Sequence, residues 1–130
     1  MARGYLLDTN VLVDRLRLPV GREPVPLSRL RGEKFCSVVT HAELWAGVRS
    51  GEEDTVADLL AALGSIDVDA DIARTAGGFQ QRYGRSHGVA LADALIAATA
   101  VRHGLLLVTR DQRHYPMREV KLWSGLRPQS

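Results

Sequence analysis

Four acidic residues stand where their neighbours do not account for them. Asp8 arrives as the apolar run Tyr5, Leu6, Leu7 stops, and Asp111 follows soon after the run Leu105, Leu106, Leu107, Val108. Glu43 sits in Ala42-Glu43-Leu44 and Asp93 in Ala92-Asp93-Ala94, both in stretches of helical spacing. Carboxylates gathered at one place repel one another and need a cation to stay ionised together. The chain offers no paired Cys or His at ligand spacing, so an all-oxygen donor set favours Mg²⁺ or Mn²⁺ over zinc. A hard ion held this way activates water and offsets charge on phosphoryl oxygens, which is the chemistry of phosphodiester hydrolysis.

Each acid also has an ordinary reading. Asp8 can be a plain N-cap. Thr40 and Glu43 have capping-box spacing. Asp93 can complement a helix dipole, and Asp111 can be a turn residue after a strand. The case for a site rests on all four sharing one edge of one sheet.

The elements that would place them there are legible as alternating runs. A strand over 5–7 is followed by a helix from Val11 to Arg17, with Leu12 and Leu16 at helical spacing. Pro19, Gly21, Pro24 and Pro26 mark a loop, and Leu27 and Leu30 a short helix ending at Gly32. A strand over 35–39 leads into a helix capped by Thr40 and running through Leu44, Trp45 and Val48 to Gly51. Glu52, Glu53 and Asp54 open the next helix, whose stripe is Val56, Leu59, Leu60 and Leu63 and whose end is Gly64. A strand over 65–68 precedes a helix capped by Asp69 or Asp71, in which Gly77-Gly78 weakens the periodic pattern. The Ala-rich segment 91–103 reads as a helix packed closely on the sheet, ended by Gly104. A strand over 105–108, a last strand through Val120, Leu122 and Trp123, and a frayed tail over 127–130 complete the chain.

Strands alternating with helices through short loops imply a parallel sheet covered on both faces: an α/β fold, three-layer α/β/α, with about five strands. The runs ending near Asp8 and Asp111 are the most apolar and belong side by side at its centre. Chemistry in such sheets gathers at the carboxyl edge of the strands. Residues 1–130 read as a single domain, long enough to bury a core without staples.

Composition narrows the class further. The lone Cys36 excludes an internal disulfide, fits a reducing compartment, and sits in an apolar run as a buried thiol. Asp8 interrupts the N-terminus before a secretory signal can form, and no run is long enough to span a bilayer, so a cytoplasmic protein with no membrane association is expected. Of the 17 basic residues 15 are Arg, a bias that codon usage explains as readily as phosphate recognition. If four of the 15 acids share one site, 11 remain against 17 bases elsewhere, and a basic body around an acidic pocket suits a metal-dependent enzyme acting on nucleic acid.

In order and spacing, Leu7-Asp8-Thr9-Asn10-Val11, Ala42-Glu43-Leu44, Ala92-Asp93-Ala94-Leu95-Ile96-Ala97-Ala98 and Thr109-Arg110-Asp111 resemble a PIN domain. More narrowly they resemble the VapC-type toxins of bacterial toxin–antitoxin pairs, over nearly the whole chain from Leu6 to Tyr115. The resemblance implies a Mg²⁺- or Mn²⁺-dependent endoribonuclease with a five-stranded parallel sheet, which dimerises and is neutralised by a small cognate antitoxin. It places the family's acidic residues on Asp8, Glu43, Asp93 and Asp111, and its polar site residue after the last central strand on Thr109. Asp8 and Asp93 are then the expected direct metal ligands. Glu43 would hold water or act as a base, and Asp111 would bind through water. Thr9 and Asn10 would orient carboxylates or contact substrate. Arg110, Arg113 and His114 lie just beyond the site as candidates for RNA phosphate contacts or as ordinary surface, with His114 also a candidate general acid.

Three rival readings compete with this one. A haloacid-dehalogenase-like phosphatase needs Asp where Asn10 stands, and a phosphoacceptor receiver domain needs a Lys where Arg110 stands. A catalytically silent PIN-like module that only binds RNA or protein is the alternative of a different class, and no acidic position is vacant to favour it. A helix of the antitoxin is expected along 44–63, where Trp45 and the Leu stripe lie, with core packing as the competing explanation for Trp45.

Overall fold

The computed structural model describes residues 4–125. Four parallel strands run through it, β1 (Gly4–Leu7), β2 (Glu33–Ser37), β3 (Gly64–Ile66) and β4 (Leu106–Val108), in the order β3-β2-β1-β4. The two most apolar strands are neighbours as expected, with Tyr5 opposite Leu106 and Leu7 opposite Val108, but only β1 is central: β4 ends the four-stranded order, with the single Leu122 bridge on its outer side. Side chains alternate across the sheet. Leu6 and Leu107 enter a core built with α4 (Ala70–Tyr83) and α5 (Leu91–His103), while Leu7 and Val108 enter one built with α1 (Thr9–Arg17), α2 (Val38–Ala46) and α3 (Glu53–Ala61). This is the three-layer α/β/α arrangement.

The fifth strand is the main departure. Val120, Leu122 and Trp123 give one parallel bridge, Leu107 to Leu122, in which Leu107 N donates to Lys121 O at 2.8 Å and Trp123 N donates to Leu107 O at 2.9 Å. Pro116 and the turn closed by Val120 N on Met117 O leave little extended chain to pair. The sheet therefore has four strands among the described residues, and the tail 127–130 lies outside them.

Helix boundaries moved where two signals competed. Val38 and Val39 look like strand on β-propensity, yet α2 begins at Val38. Ser37, the last residue of β2, is itself the N-cap, its hydroxyl accepting from Val39 N at 3.0 Å. Thr40 is therefore not a cap; it lies buried inside the helix, Glu43 is not a capping-box acid, and the helix ends at Gly47 rather than Gly51. The short helix expected after Pro26 is a single 3₁₀ turn (Leu27–Arg29), and Gly64 opens β3 instead of ending α3. Gly77 and Gly78 do not interrupt α4, whose buried Ile72, Ala76 and Phe79 hold it on the core. Asp69 caps that helix, accepting from Ile72 N at 2.9 Å.

The Ala-rich helix forms as read. Ala94, Ala97, Ala98 and Ala100 are buried, and Gly104 ends it in the left-handed conformation at φ 63°, with its N–H on Ala100 O and Val101 O. Among the described residues no helix is long and apolar enough to cross a membrane.

Ser37 is fully buried and supplies the side-chain cap of α2. Ser37→Ala should cost about 1 kcal/mol, within roughly 0.5–2, in urea unfolding. A near-neutral Ser37→Ala would return the cap to Thr40.

Candidate active site

Asp8 extends the sheet by one step, its N–H donating to Val108 O at 2.9 Å, and then caps α1. Its carboxylate is only 4% exposed, so each oxygen needs a donor. Oδ1 accepts from Thr9 N at 2.8 Å, and Oδ2 accepts from the Thr109 hydroxyl at 2.8 Å. Thr109 spends its one proton there and accepts from Asn10 Nδ2 at 3.2 Å and Asp111 N at 3.1 Å. Asn10 Oδ1 in turn accepts from Arg110 N at 3.1 Å, which fixes the way its amide points. The N-cap reading of Asp8 is correct but incomplete: the same carboxylate ties the start of α1 to the end of β4.

Glu43 reaches this edge because α2 starts directly on β2. The Thr9 hydroxyl donates to Glu43 Oε1 at 2.6 Å and lies 2.9 Å from the Thr40 hydroxyl. Thr9 has one proton, already given to Glu43, so Thr40 must donate to Thr9. The buried Thr40 thus orients Glu43 through Thr9, a role its sequence position did not suggest.

Asp93 enters from the first turn of α5, half-buried, with Oδ1 accepting from the Tyr115 hydroxyl at 3.4 Å and Oδ2 3.9 Å from His114 Nδ1. Asp111 is placed differently. Its carboxylate pairs with Arg113 Nε at 3.2 Å and faces His114 Nε2 at 3.3 Å. A pocket of about 330 Å³ is lined by Asp8, Thr9, Asn10, Val13, Glu43, Asp93, Arg110 and His114. Of the sequence-derived candidates, Thr109, Asp111 and Arg113 are not among its walls: Thr109 lies beneath Asp8, and Asp111 and Arg113 are spent on each other. Arg110 lines the pocket with its Nε 2.8 Å from Asp14 Oδ2. A second cavity, of about 340 Å³, is lined by residues including Gly104, Leu105 and Lys121 at the start of β4, and none of the four acids reaches it.

The electrostatics separate the acids. Burial pushes the Asp8 carboxyl above the ordinary range, and Asp93 adds to this by repulsion, while hydrogen bonds from Thr109, Tyr115 and Thr9 oppose it. Burial also raises Asp93, aided by Glu43 and Asp111 and opposed by His114 and Tyr115. Arg113 holds Asp111 below the usual range. Asp8 and Asp93 are therefore the pair whose ionised forms a cation would relieve. The donor set suits a hard ion. Among the described residues no three His, Cys, Asp or Glu side chains are set to enclose one, so any ion here would take only one or two carboxylates and keep the rest of its shell as water. Asp8 and Asp93 could supply those two.

Sequence reasoning missed Tyr115, Thr40 and Asp14. The only trace of Tyr115 was an aromatic before Pro116, a position that proline restricts to extended backbone; that of Asp14 was its place one helical turn after Asn10.

A PIN-domain family model matches residues 5–120. The chain is 40% identical over 116 residues to ribonuclease VapC10 of Mycobacterium tuberculosis, covering 88% of this chain and 87% of that protein. It is 40% identical over 119 residues to ribonuclease VapC19 of the same organism, covering 86% and 92%. Among solved structures, a toxin–antitoxin complex from Klebsiella pneumoniae contains a chain that superposes with a TM-score of 0.73 at 28% identity, covering 89% of this chain and 94% of that one.

Because the folded pKa of Asp93 lies above its unfolded value, the fold binds this proton more tightly. Stability of the metal-free protein should therefore rise as pH falls from neutral through the raised value, and the gain should stop below the ordinary carboxylate range. Asp93→Asn should flatten that slope and, in EDTA at neutral pH, melt at or above the wild-type temperature. Parallel melting profiles, with the variant lower throughout, would instead make Asp93 a dipole partner worth about 0.3–1 kcal/mol.

Proposed function

We infer the activity from one premise: the chain belongs to the PIN-domain family. It is an endoribonuclease, the toxin member of a toxin–antitoxin pair. The observation that carries the reading is the convergence of Asp8, Glu43 and Asp93, from three different elements, on one pocket at the carboxyl edge of a parallel sheet. The same convergence disfavours a silent binding module, which has no need to hold repelling carboxylates together.

The cofactor we propose is Mg²⁺ or Mn²⁺, held by Asp8 and Asp93. When bound, such an ion would activate water and offset charge on the phosphoryl oxygens. Glu43 gives one oxygen, Oε1, to Thr9. Its other oxygen, Oε2, is then the atom to take the proton of the attacking water, with Thr40 and Thr9 holding the carboxylate still. Asn10 and Thr109 keep Asp8 in place. Asp14 steadies Arg110 by Nε, so the terminal amino groups of the guanidinium can meet an RNA phosphate at the pocket rim. Asp111 shapes the loop and pairs Arg113 rather than binding the ion directly. His114, bracketed by Asp93 and Asp111, belongs to the rim.

The partner we propose is a small antitoxin, consistent with the solved toxin–antitoxin complex the chain resembles. Trp45 is 41% exposed on the helix that carries Glu43, which favours a surface contact over core packing. An antitoxin helix along 44–63 would cover it and bring a basic side chain to the acidic pocket. A homodimer in the cytoplasm completes the proposal.

Purified chain should cleave structured RNA with Mg²⁺ or Mn²⁺ and stop in EDTA. Asp8→Asn and Asp93→Asn should each lose more than the roughly 100-fold that removal of an outer partner of a metal ligand costs. Gel assays of defined RNAs decide it. Cleavage that persists in EDTA and co-purifies with the wild-type chain, but not with these variants, would leave the acids catalytic and remove the metal.

A further inference from the structure

Tyr115 is the aromatic that the activity above does not use. It is 3% exposed, and its ring packs in the core that holds Phe79, Ile96, Leu107 and Met117. The ring is therefore fixed, and its hydroxyl is a rigid donor rather than a rotating one. That hydroxyl donates to Asp93 Oδ1 at 3.4 Å, on the side of Asp93 away from His114. Asp8 and Asp93 come from a strand end and a helix start, far apart in sequence, and repel each other. The tyrosine hydroxyl fixes the Asp93 side of that pair.

We propose that Tyr115 is a positioning residue, whose buried hydroxyl holds the Asp93 carboxylate by Oδ1 and so tunes the affinity of the site for the divalent ion. This rests on the metal-dependent reading given above. Partners that hold a metal ligand in place by its second oxygen or nitrogen contribute about 10–100-fold in metal affinity. The long Asp93 contact leaves the Asp93 Oδ2 oxygen on the His114 side for the ion. A hydroxyl placed only to satisfy a buried phenol would contribute to folding and nothing to metal affinity.

The test is Mn²⁺ binding to the RNA-free protein, followed by the electron paramagnetic resonance signal of the free ion, for wild type, Tyr115→Phe and Asp93→Asn. Thermal melts in EDTA verify that each is folded. Tyr115→Phe keeps the ring and should weaken Mn²⁺ binding about 10–100-fold. Its cleavage should need correspondingly more Mg²⁺ for half-maximal rate while approaching the wild-type kcat at saturation. Tyr115→p-aminophenylalanine, which restores a donor at the same place, should recover most of the affinity. Wild-type Mn²⁺ affinity in Tyr115→Phe, alongside its loss in Asp93→Asn, overturns the positioning role and leaves the metal site intact. Loss in Tyr115→Phe with no recovery in the amino variant also overturns it, since ring packing would then be the cause. Wild-type affinity in Asp93→Asn overturns the metal reading itself, and the role of Tyr115 with it.

Discussion

A carboxylate that is almost out of water sits at the end of the central strand, and the surrounding structure is arranged to satisfy it. Asp8 needs donors on both oxygens, and the sheet register decides who can supply them. Because Leu7 lies opposite Val108, the next residues along, Asp8 and Thr109, meet across the β1–β4 pair. The first turn of α1 supplies the other donor without any side chain being involved. Register, cap and site are one arrangement, since a slip of one residue between β1 and β4 would put Thr109 on the wrong face and leave Asp8 unsatisfied.

Around that point the molecule trades stability for proximity. Asp93 and Glu43 are brought close enough for Asp93 to be raised by both burial and repulsion. The hydrogen-bond chains that surround them are directional, Thr40 to Thr9 to Glu43 on one side and Asn10 to Thr109 to Asp8 on the other. Each hydroxyl gives its single proton toward a carboxylate, so the network supports ionised acids and offers nothing to a protonated one. That is the pattern of a site kept ready for positive charge.

The parts of this that could be read in the sequence were those written in runs. Tyr5 to Leu7 and Leu105 to Val108 announce neighbouring apolar strands, and the acids after them mark the edge where they end. The alanines of 91–103 announce a closely packed helix. What could not be read depended on choices between nearly equal local preferences, or on single side chains meeting across the fold. Val38 and Val39 favour strand, yet the side-chain cap from Ser37 starts a helix on them. Asp111 follows an apolar strand just as Asp8 does, but Arg113 two residues later captures its carboxylate. Tyr115 carries no periodic signal; its significance arises only when a loop after β4 folds back under α5. The last strand failed because apolar side chains predict burial, and burial does not require a ladder of backbone hydrogen bonds.

Helices α1 and α2 follow their strands almost directly: Asp8 is the single residue between β1 and α1 and caps the helix, and Ser37 both ends β2 and caps α2. Each added residue turns a helix by about 100° relative to the strand before it. Inserting or deleting one codon after Leu7 or Ser37 would thus swing Thr9 or Glu43 a quarter-turn or more out of the pocket, even if every hydrophobic contact were repaired. The segment 18–26, by contrast, has proline and glycine enough to absorb changes of length. Changes of length are accommodated there more readily than at the two short junctions, whose spacing sets the geometry of the pocket.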